Sequence, residues 1–227
     1  MSFLKKEASE SYLVGILLAI AGGYLDVYTY VCRGGVFANA QTGNIVLLGI
    51  SVADGNWEKL GGYIWPILAF MAGILVAELV KREFRHESVI HWRQIVLALE
   101  FAVLWTIAFI PSGIHDAAVN VAVSFVCSMQ VESFRTFHGS SAYATTMCTG
   151  NLRSATEQFF KYNVTKDKQA IKKSLQYYGI ILFFIVGAIV GTVITRMFME
   201  KSALVACVLL LAVIVIMFIP AGDGERE

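Results

Sequence analysis

Charged residues are scarce in this sequence, and it contains no basic arm and no basic patch rich in aromatic residues. Asp, Glu, Lys and Arg together make up 15% of the 227 residues, whereas soluble domains carry about 25%. Hydrophobic residues make up 57% of the chain, and the formal net charge is +1. The composition indicates an integral membrane protein and gives no support for nucleic acid binding.

Metal-ligand and catalytic spacings are missing as well. The four cysteines, Cys32, Cys127, Cys148 and Cys207, are scattered without a C-x-x-C pair. They lie in or beside apolar stretches, where cysteine usually packs as a small hydrophobic side chain. No Ser/His pairing or Gly-rich nucleotide loop is recognisable. We therefore expect no metal, no cofactor and no enzymatic activity.

Apolar runs dominate the chain instead. Six of them approach the roughly 20 residues that cross hydrocarbon as a helix. They leave no room for a sizeable soluble domain, so residues 1–227 are predicted to form one integral membrane domain. The runs are Tyr12–Cys32, Gly61–Val80, Arg93–Ile110, Ala117–Phe137, Ser174–Ile194 and Ser202–Ile219.

A sequence repeat divides the chain into two halves. The triplet Thr42–Asn44 returns as Thr149–Asn151, 107 residues later, and both copies read Thr-Gly-Asn. The sequences that follow the triplets also match, and each half ends on Phe-Ile-Pro. Matching register over several motifs indicates duplication. We interpret residues 11–111 and 117–220 as two copies of one unit.

Small residues recur at helical spacing in both copies. Gly73-x-x-x-Ala77 in the first half matches Gly187-x-x-x-Gly191 in the second. Such faces allow two helices to approach closely within a membrane. We expect them to pack the two halves against each other or to join two protomers in a homodimer.

The distribution of Lys and Arg favours six spans over eight. With six spans and both termini in the cytoplasm, fourteen of the 18 Lys and Arg residues face the cytoplasm. Eight spans give at best about 10 against 8, which is hardly the bias that cytoplasmic loops acquire. The sequence thus predicts a multi-pass protein of the bacterial inner membrane with cytoplasmic N- and C-termini.

Three spans per half require the second half to be inverted relative to the first. The short helical segments Thr42–Ala53 and Thr149–Phe160 would then be re-entrant half-helices that enter from opposite faces. Thr42 and Thr149 are expected as N-caps, and Gly43 and Gly150 permit a tight turn before each helix. Residues 33–41, if extended, can reach about 30 Å, which suits a return to the middle of the bilayer. The alternative is an ordinary turn outside the membrane at each triplet.

Each half carries an acid in its first helix, some 16 or 17 residues before its triplet. Asp26 is the acid of the first half and Glu132 that of the second. Intramembrane carboxylates are costly and usually functional, so both are candidates for proton coupling or cation binding. The structural alternative is a carboxylate that binds neighbouring helices or an unwound backbone.

Three further charged residues have open interpretations. Arg33 and Arg135 follow the two acids and either neutralise them, attract an anion or extend to the interface. Glu100 lies early in the third apolar run and is either a proton site or an unusual lipid-facing acid.

The sequence resembles a known family in three stretches. Residues 22–30 (Gly-Gly-Tyr-Leu-Asp-Val-Tyr-Thr-Tyr), 35–44 (Gly-Val-Phe-Ala-Asn-Ala-Gln-Thr-Gly-Asn) and 65–70 (Trp-Pro-Ile-Leu-Ala-Phe) are similar to the YoaK family of bacterial multi-pass membrane proteins. The resemblance extends over nearly the whole chain. It implies a membrane location but supplies no substrate, because the family has no assigned activity.

The sequence predicts an all-α membrane protein of six transmembrane helices in two inverted three-helix repeats, each with a half-helix after its triplet. Its expected function is transport or conduction of a small polar solute or ion across the lipid bilayer. A non-transporting scaffold or partner subunit and an intramembrane enzyme are the alternatives, and channel and carrier are not distinguished. The predicted binding residues are Asp26, Gln41, Thr42, Gly43, Asn44, Glu132, Thr149, Gly150 and Asn151.

Overall fold

The computed structural model describes residues 11–84, 91–137, 141–142 and 147–218. They form an all-helical protein in which a two-residue strand pair is the only sheet of these residues. The predicted cytoplasmic position of the two chain ends concerns residues outside the described ones. The elements are α1 (Tyr12–Cys32), α2 (Gln41–Ala53), α3 (Leu60–Phe84), α4 (Trp92–Ile107), α5 (Asp116–Ser133), β1 (Thr136–Phe137), β2 (Ser141–Ala142), α6 (Cys148–Thr165), α7 (Lys168–Phe198) and α8 (Ala203–Phe218), with 3-10 turns at Trp57–Lys59 and Met199–Ser202.

Several helix starts follow directly from local sequence. Ser11 precedes α1 and its hydroxyl accepts the backbone N–H of Val14 at 3.3 Å. The carboxylate of Asp167 accepts the N–H of Gln169 at 2.9 Å at the start of α7. Before α4, the side chain of Gln94 completes a capping box by accepting the N–H of His91 at 3.0 Å. These residues satisfy N–H groups that a helix leaves without internal partners.

Among the described residues, three segments are long and apolar enough to cross a membrane: Tyr12–Cys32, Trp57–Phe84 and the 51-residue stretch Lys168–Phe218, which contains α7 and α8. The outward face of α3 carries a row of exposed apolar side chains, which water would not solvate favourably and lipid would. The protein is thus a membrane protein with its apolar surface turned outward. The row consists of Trp65, Leu68, Met71, Leu75 and Leu79.

The most extensive helix contacts join the first helix of one half to the third helix of the other. The helix α1 packs along α7, and α5 packs along α3. Four further helix contacts are equivalent between the halves. The contact of α2 with α3 corresponds to that of α6 with α7, and the contact of α4 with α5 corresponds to that of α8 with α1. The two halves of the chain are interleaved through these contacts, and neither half forms a separate bundle.

Small residues make the two long contacts possible. A methyl group at Gly187 of α7 would overlap the backbone carbonyl of Ile20 in α1, and one at Gly73 of α3 would overlap the carbonyl of Phe125 in α5. This confirms the expectation that the repeated small-residue faces pack the two halves. Because Gly73 and Gly187 are buried within the chain, they offer no surface to a second protomer.

Arg33 links both halves at the end of α1. Its guanidinium is fully buried and pairs with Asp116 at 3.1 Å, at the start of α5. It also donates to Tyr28 Oη at 2.8 and 3.0 Å and to the carbonyl oxygens of Ile107 and Ile110 at 3.0 and 2.8 Å. The interpretation of Arg33 as a side chain that extends to the interface is therefore wrong, because every direction of its hydrogen bonds leads into the protein.

The predicted starts of the two short helices also need correction. The helix α2 begins at Gln41 and α6 at Cys148, with Ala40 and Met147 at the N-cap positions and no side-chain cap at either. Thr42 and Thr149 lie one residue inside the helices and are not N-caps. Gly43 and Gly150 are helical too, and positive φ angles occur earlier, at Gly34 and Gly35.

Candidate functional site

The loop between α1 and α2 folds back along α1. Gly34 and Gly35 have φ angles of 84° and 80°, a conformation that suits glycine because it has no Cβ. The N–H of Gly35 donates to the carbonyl of Tyr30 at 3.1 Å, which ends the helix in a reversed turn. Residues 33–40 are therefore folded into turns and do not have the reach of an extended segment.

Asp26 holds the returning loop. Its Oδ1 atom accepts the backbone N–H of Asn39 at 2.6 Å and that of Ala40 at 3.3 Å. The side-chain amide of Asn39 donates to the carbonyl of Gly22 at 3.4 Å. Gly22 is the central residue of the 21-residue helix α1. The helix α2 thus begins beside the middle of α1, and Asp26 makes the contacts that the structural interpretation of this acid anticipated.

The side chain of Asn44 holds the same loop through three further hydrogen bonds. Its Oδ1 accepts the N–H of Phe37 at 2.9 Å, and its amide donates to the carbonyl of Phe37 at 2.8 Å and to Gln41 Oε1 at 2.9 Å. Gln41 in turn donates to the carbonyl of Ala38 at 2.9 Å. Three of the hydrogen-bonding positions of this buried amide are thereby used within the protein. The asparagine of the first triplet sets the shape of the loop.

A cavity of about 640 Å³ lies where the starts of α2 and α6 meet the middle of α1. Its size falls within the range of small-ligand sites, roughly 300 to 1,000 Å³. Its walls come from six helices and from the loop before α2. The lining residues are Gly23, Asp26, Val27, Phe37, Asn39, Ala40, Gln41, Thr42, Phe70, Ile74, Val131, Glu132, Arg135, Met147, Cys148, Thr149, Gly150, Phe184 and Ala188.

Six of the nine predicted binding residues line this cavity and three do not. Gly43, Asn44 and Asn151 lie outside the lining, and both asparagines are buried. That any of the nine binds a solute stays a prediction. The six residues that the structure brings together at the cavity are Asp26, Gln41, Thr42, Glu132, Thr149 and Gly150.

The walls contain equivalent residues from both halves. Thr42 and Thr149 come from the two triplets, and Phe70 and Phe184 each stand three residues before the matching glycines Gly73 and Gly187. Ala40 and Met147, the two N-cap residues, also lie at equivalent positions and both line the cavity. The cavity is therefore lined by residues at matching positions of the two halves of the sequence.

Charged groups occupy one part of the lining. Arg135 Nη1 donates to both carboxylate oxygens of Glu132, at 3.5 and 3.2 Å, and 57% of the Arg135 side chain is exposed. Asp26 is buried nearby, and most of the remaining wall is apolar. The N-termini of α2 and α6 add partial positive charge. A mostly apolar wall with a few placed polar groups is typical of small-molecule sites.

The described residues contain no cluster of three or more His, Cys, Asp or Glu side chains that could hold a metal ion. Sequence reasoning missed several lining residues. Asn39 stands two residues before Gln41, and Cys148 directly precedes Thr149, so both belong to the repeated strings. Phe70 and Phe184 were recognisable as repeat residues, although only their neighbours in space reveal that they face a cavity.

The chain is similar to proteins of known sequence but undefined activity. The family described as "Protein of unknown function (DUF1275)" matches residues 14–217. The UPF0700 transmembrane protein YoaK of Bacillus subtilis (strain 168) is 26% identical over 189 residues, which cover 77% of this chain and 79% of the relative. No solved structure matches. Since the family match extends over almost the whole chain, this protein belongs to the DUF1275 family of membrane proteins.

Proposed function

We propose that this protein is a membrane transporter or channel that moves a small polar solute or ion through the cavity beside Asp26. The observation that carries the proposal is the convergence of two helix N-termini, α2 and α6, on one cavity at the level of the middle of α1. Helix starts at membrane depth are tolerated where they are buried in protein or line a polar cavity. In transporters, such helix ends form the substrate site.

The proposed architecture is a pair of inverted repeats with six spans. The exchange of partners between the halves, α1 with α7 and α5 with α3, is the pattern that a two-fold relation between them would produce. In this arrangement α2 and α6 are the re-entrant half-helices. The loop before α2 supports this assignment, because it returns from the end of α1 to the level of Gly22 before the helix begins.

Within the cavity we assign direct contact with the solute to the side chains that line it. Thr42 and Thr149 supply hydroxyl groups from the two helix starts, and Asp26 and Glu132 supply carboxylates. We assign Asn44 a positioning role, since its hydrogen bonds are made to Phe37 and Gln41. The inner membrane is the proposed location.

The test is the accessibility of single cysteines from the two sides of the membrane. In a background without the four native cysteines, the reporters are Ala40→Cys and Met147→Cys. In a third variant, the native Cys148 is the single cysteine that remains; it is half-buried and lines the cavity. Lys59 and Lys168 are both exposed; Lys59 precedes α3 and Lys168 begins α7. Single cysteines at these two positions calibrate the reaction with a membrane-impermeant maleimide on each side.

If the protein conducts or transports, the reporters at the cavity react from both sides, and candidate solutes slow the reaction. Reaction of each reporter from one side only, or of neither, contradicts the proposal.

A scaffold or partner subunit is the second candidate, and one observation favours it. Asp26 is hydrogen-bonded to the loop and Asn44 to Phe37. These bonds alone explain why polar residues occupy both positions, even in a protein that transports nothing. In that case the cavity reporters remain sealed, and changes at the cavity surface, such as Thr42→Val and Thr149→Val, alter no flux in reconstituted vesicles.

A further inference from the structure

The connection between α6 and α7 is a tight hairpin. The helix α6 ends at Thr165, and α7 begins at Lys168. Between them, Lys166 has a φ angle of 57°, and its N–H donates to the carbonyl of Tyr162 at 2.8 Å, which closes the last turn of α6. Because the connection is so short, α7 returns antiparallel along α6.

Two hydrogen bonds fix the register of the two helices. The hydroxyl of Ser174 donates to the carbonyl of Ala155 at 2.8 Å, and the hydroxyl oxygens of Thr156 and Tyr178 lie 3.2 Å apart. The last turns of α6 and the first turns of α7 therefore extend beyond this level, by about 13 Å and about 9 Å. We call residues 157–173, which make up this closed end of the hairpin, the hairpin end.

Positive charge is concentrated in the hairpin end. It contains five lysines against two acids, Glu157 and Asp167. Four of the lysines are exposed, and the one nearest to Ser174 is half-buried. The five are Lys161, Lys166, Lys168, Lys172 and Lys173.

Little of this charge is neutralised within the protein. The Nζ atom of Lys161 lies 3.8 Å from the carboxylate of Asp167, which is the limit of an ion pair. The three lysines of α7, Lys168, Lys172 and Lys173, make no ion pair with any residue that the structure describes. Clustered like charges repel one another, so an anionic partner would stabilise them.

Exposed apolar side chains lie among these lysines. Phe160 and Val164 are four residues apart and share one face of α6, and they are 68% and 67% exposed. A soluble anionic partner would leave such side chains in water. A helix that combines lysines with exposed aromatic and aliphatic side chains is typical of a segment in the membrane interface.

The length of α7 places the hairpin end at the level of the lipid headgroups. The helix has 31 residues, so it is about 46 Å long, whereas the hydrocarbon core is roughly 30 Å thick. Residues 175–195 contain no Asp, Glu, Lys or Arg and extend about 31 Å as a helix. When this stretch fills the hydrocarbon, Lys168, Lys172 and Lys173 lie just outside it.

We propose that the hairpin end is a binding surface for anionic phospholipid headgroups. Its lysines contact the negatively charged headgroups around α7, and Phe160 and Val164 enter the acyl-chain boundary beside them. No residue of the hairpin end lines the cavity. The lipid surface is therefore independent of the proposed transport function.

The test measures lipid preference at the hairpin end itself. The full-length protein, without its four native cysteines, carries a fluorophore at Gln169→Cys, an exposed position of α7, and is reconstituted in lipid vesicles. Quenching by nitroxide-labelled phosphatidylglycerol and by nitroxide-labelled phosphatidylcholine gives the relative binding constant of the two lipids. We expect phosphatidylglycerol to bind about fivefold more strongly, the factor that one lysine near an anionic surface supplies. High salt should reduce this preference, because it screens exposed charges.

Matched lysine variants locate the effect. Replacement of Lys168, Lys172 and Lys173 together by glutamine should abolish the preference for phosphatidylglycerol, and replacement of the same three by arginine should retain it. Lys59 and Lys201 provide the control, since both are exposed and lie in the two 3-10 turns. Lys59→Gln combined with Lys201→Gln should leave the preference unchanged.

Equal quenching by the two lipids in the wild type would overturn the proposal and leave the lysines to an acidic protein partner. A preference that persists in the triple glutamine variant, or that disappears in the Lys59 and Lys201 control, would overturn it as well. The cysteine reporters at the cavity give a separate result. Sealed reporters with a clear lipid preference would reject transport and retain the lipid surface, and open reporters without the preference would do the reverse.

Discussion

The two Thr-Gly-Asn segments bring equivalent helix starts to one cavity, but their surroundings differ. In the first half, Asp26 receives the N–H groups of the loop and becomes part of the fold. In the second half, the corresponding acid, Glu132, pairs with Arg135 on its own helix end. The comparison indicates that the two halves start a short helix at equivalent positions of the sequence and differ in the polar side chains around each start.

The cations that follow the two acids differ in the same way. Arg33 is fully buried and holds three elements together, whereas more than half of Arg135 is exposed. A buried charge that loses its partners costs far more than an exposed one. The first half is therefore expected to depend on its charged residues for stability, and the second half is free to use them at the cavity surface.

The largest effect is expected from Arg33→Met compared with Arg135→Met. Arg33→Met leaves Asp116 and two backbone carbonyls without their donor, which should cost about 3–5 kcal/mol of unfolding free energy. Arg135→Met removes an exposed ion pair and should cost less than about 1 kcal/mol. Thermal unfolding in detergent, followed by intrinsic fluorescence, measures both. Equal losses would mean that the two cations are equivalent.

Asp26→Leu compared with Glu132→Leu should give the next largest difference. Asp26→Leu removes the acceptor of the buried N–H of Asn39, which costs about 1–3 kcal/mol when left unpaired, and of the part-buried N–H of Ala40, which costs less. Glu132→Leu loses a single i,i+3 pair and should cost less than about 1 kcal/mol. Asp26→Asn keeps an acceptor oxygen and is the control. If Asp26→Leu melts at the wild-type temperature, the acid does not hold the loop.

Asn44→Leu should destabilise the loop by about 1–3 kcal/mol, because Phe37 loses hydrogen bonds at both its N–H and its carbonyl. Asn44→Asp retains the acceptor for the Phe37 N–H and should lose less. Proteolysis of the loop together with the melting temperature would measure the effect. If Asn44→Leu leaves the stability unchanged and alters the solute flux, Asn44 contacts the solute and does not hold the loop.

The smallest effects are expected from the two triplet glycines. A methyl group at Gly43 would approach the ring of Phe37 to 2.8 Å, whereas the same group at Gly150 would meet no described residue within 4 Å. Gly43→Ala should therefore cost about 1–2 kcal/mol. Gly150→Ala should stabilise the protein by about 0.5–1 kcal/mol, because alanine favours the helix. Melting temperatures that shift in the same direction would contradict this comparison.

The class of protein and several contacts could be predicted from local sequence. Long apolar runs predict helices in a membrane, and the small residues around Gly73 and Gly187 predict close packing between the halves. The helix starts were misjudged by one residue, because Thr42 and Thr149 match the preferences of an N-cap. In the structure, the returning loop is held at Asp26 and the N-cap positions carry no side-chain hydrogen bond.

The sequence by itself determined the membrane location, the helical class and the family, since these depend on composition, periodicity and motifs along the chain. Only the tertiary structure decided that Arg33 is buried and that Asn44 holds the loop. It also decided that the starts of α2 and α6 line one cavity with Asp26. The physical reason is distance along the chain. Hydrogen bonds and cavity walls are made by residues from both halves, and their proximity depends on how the helices pack, which no local pattern encodes.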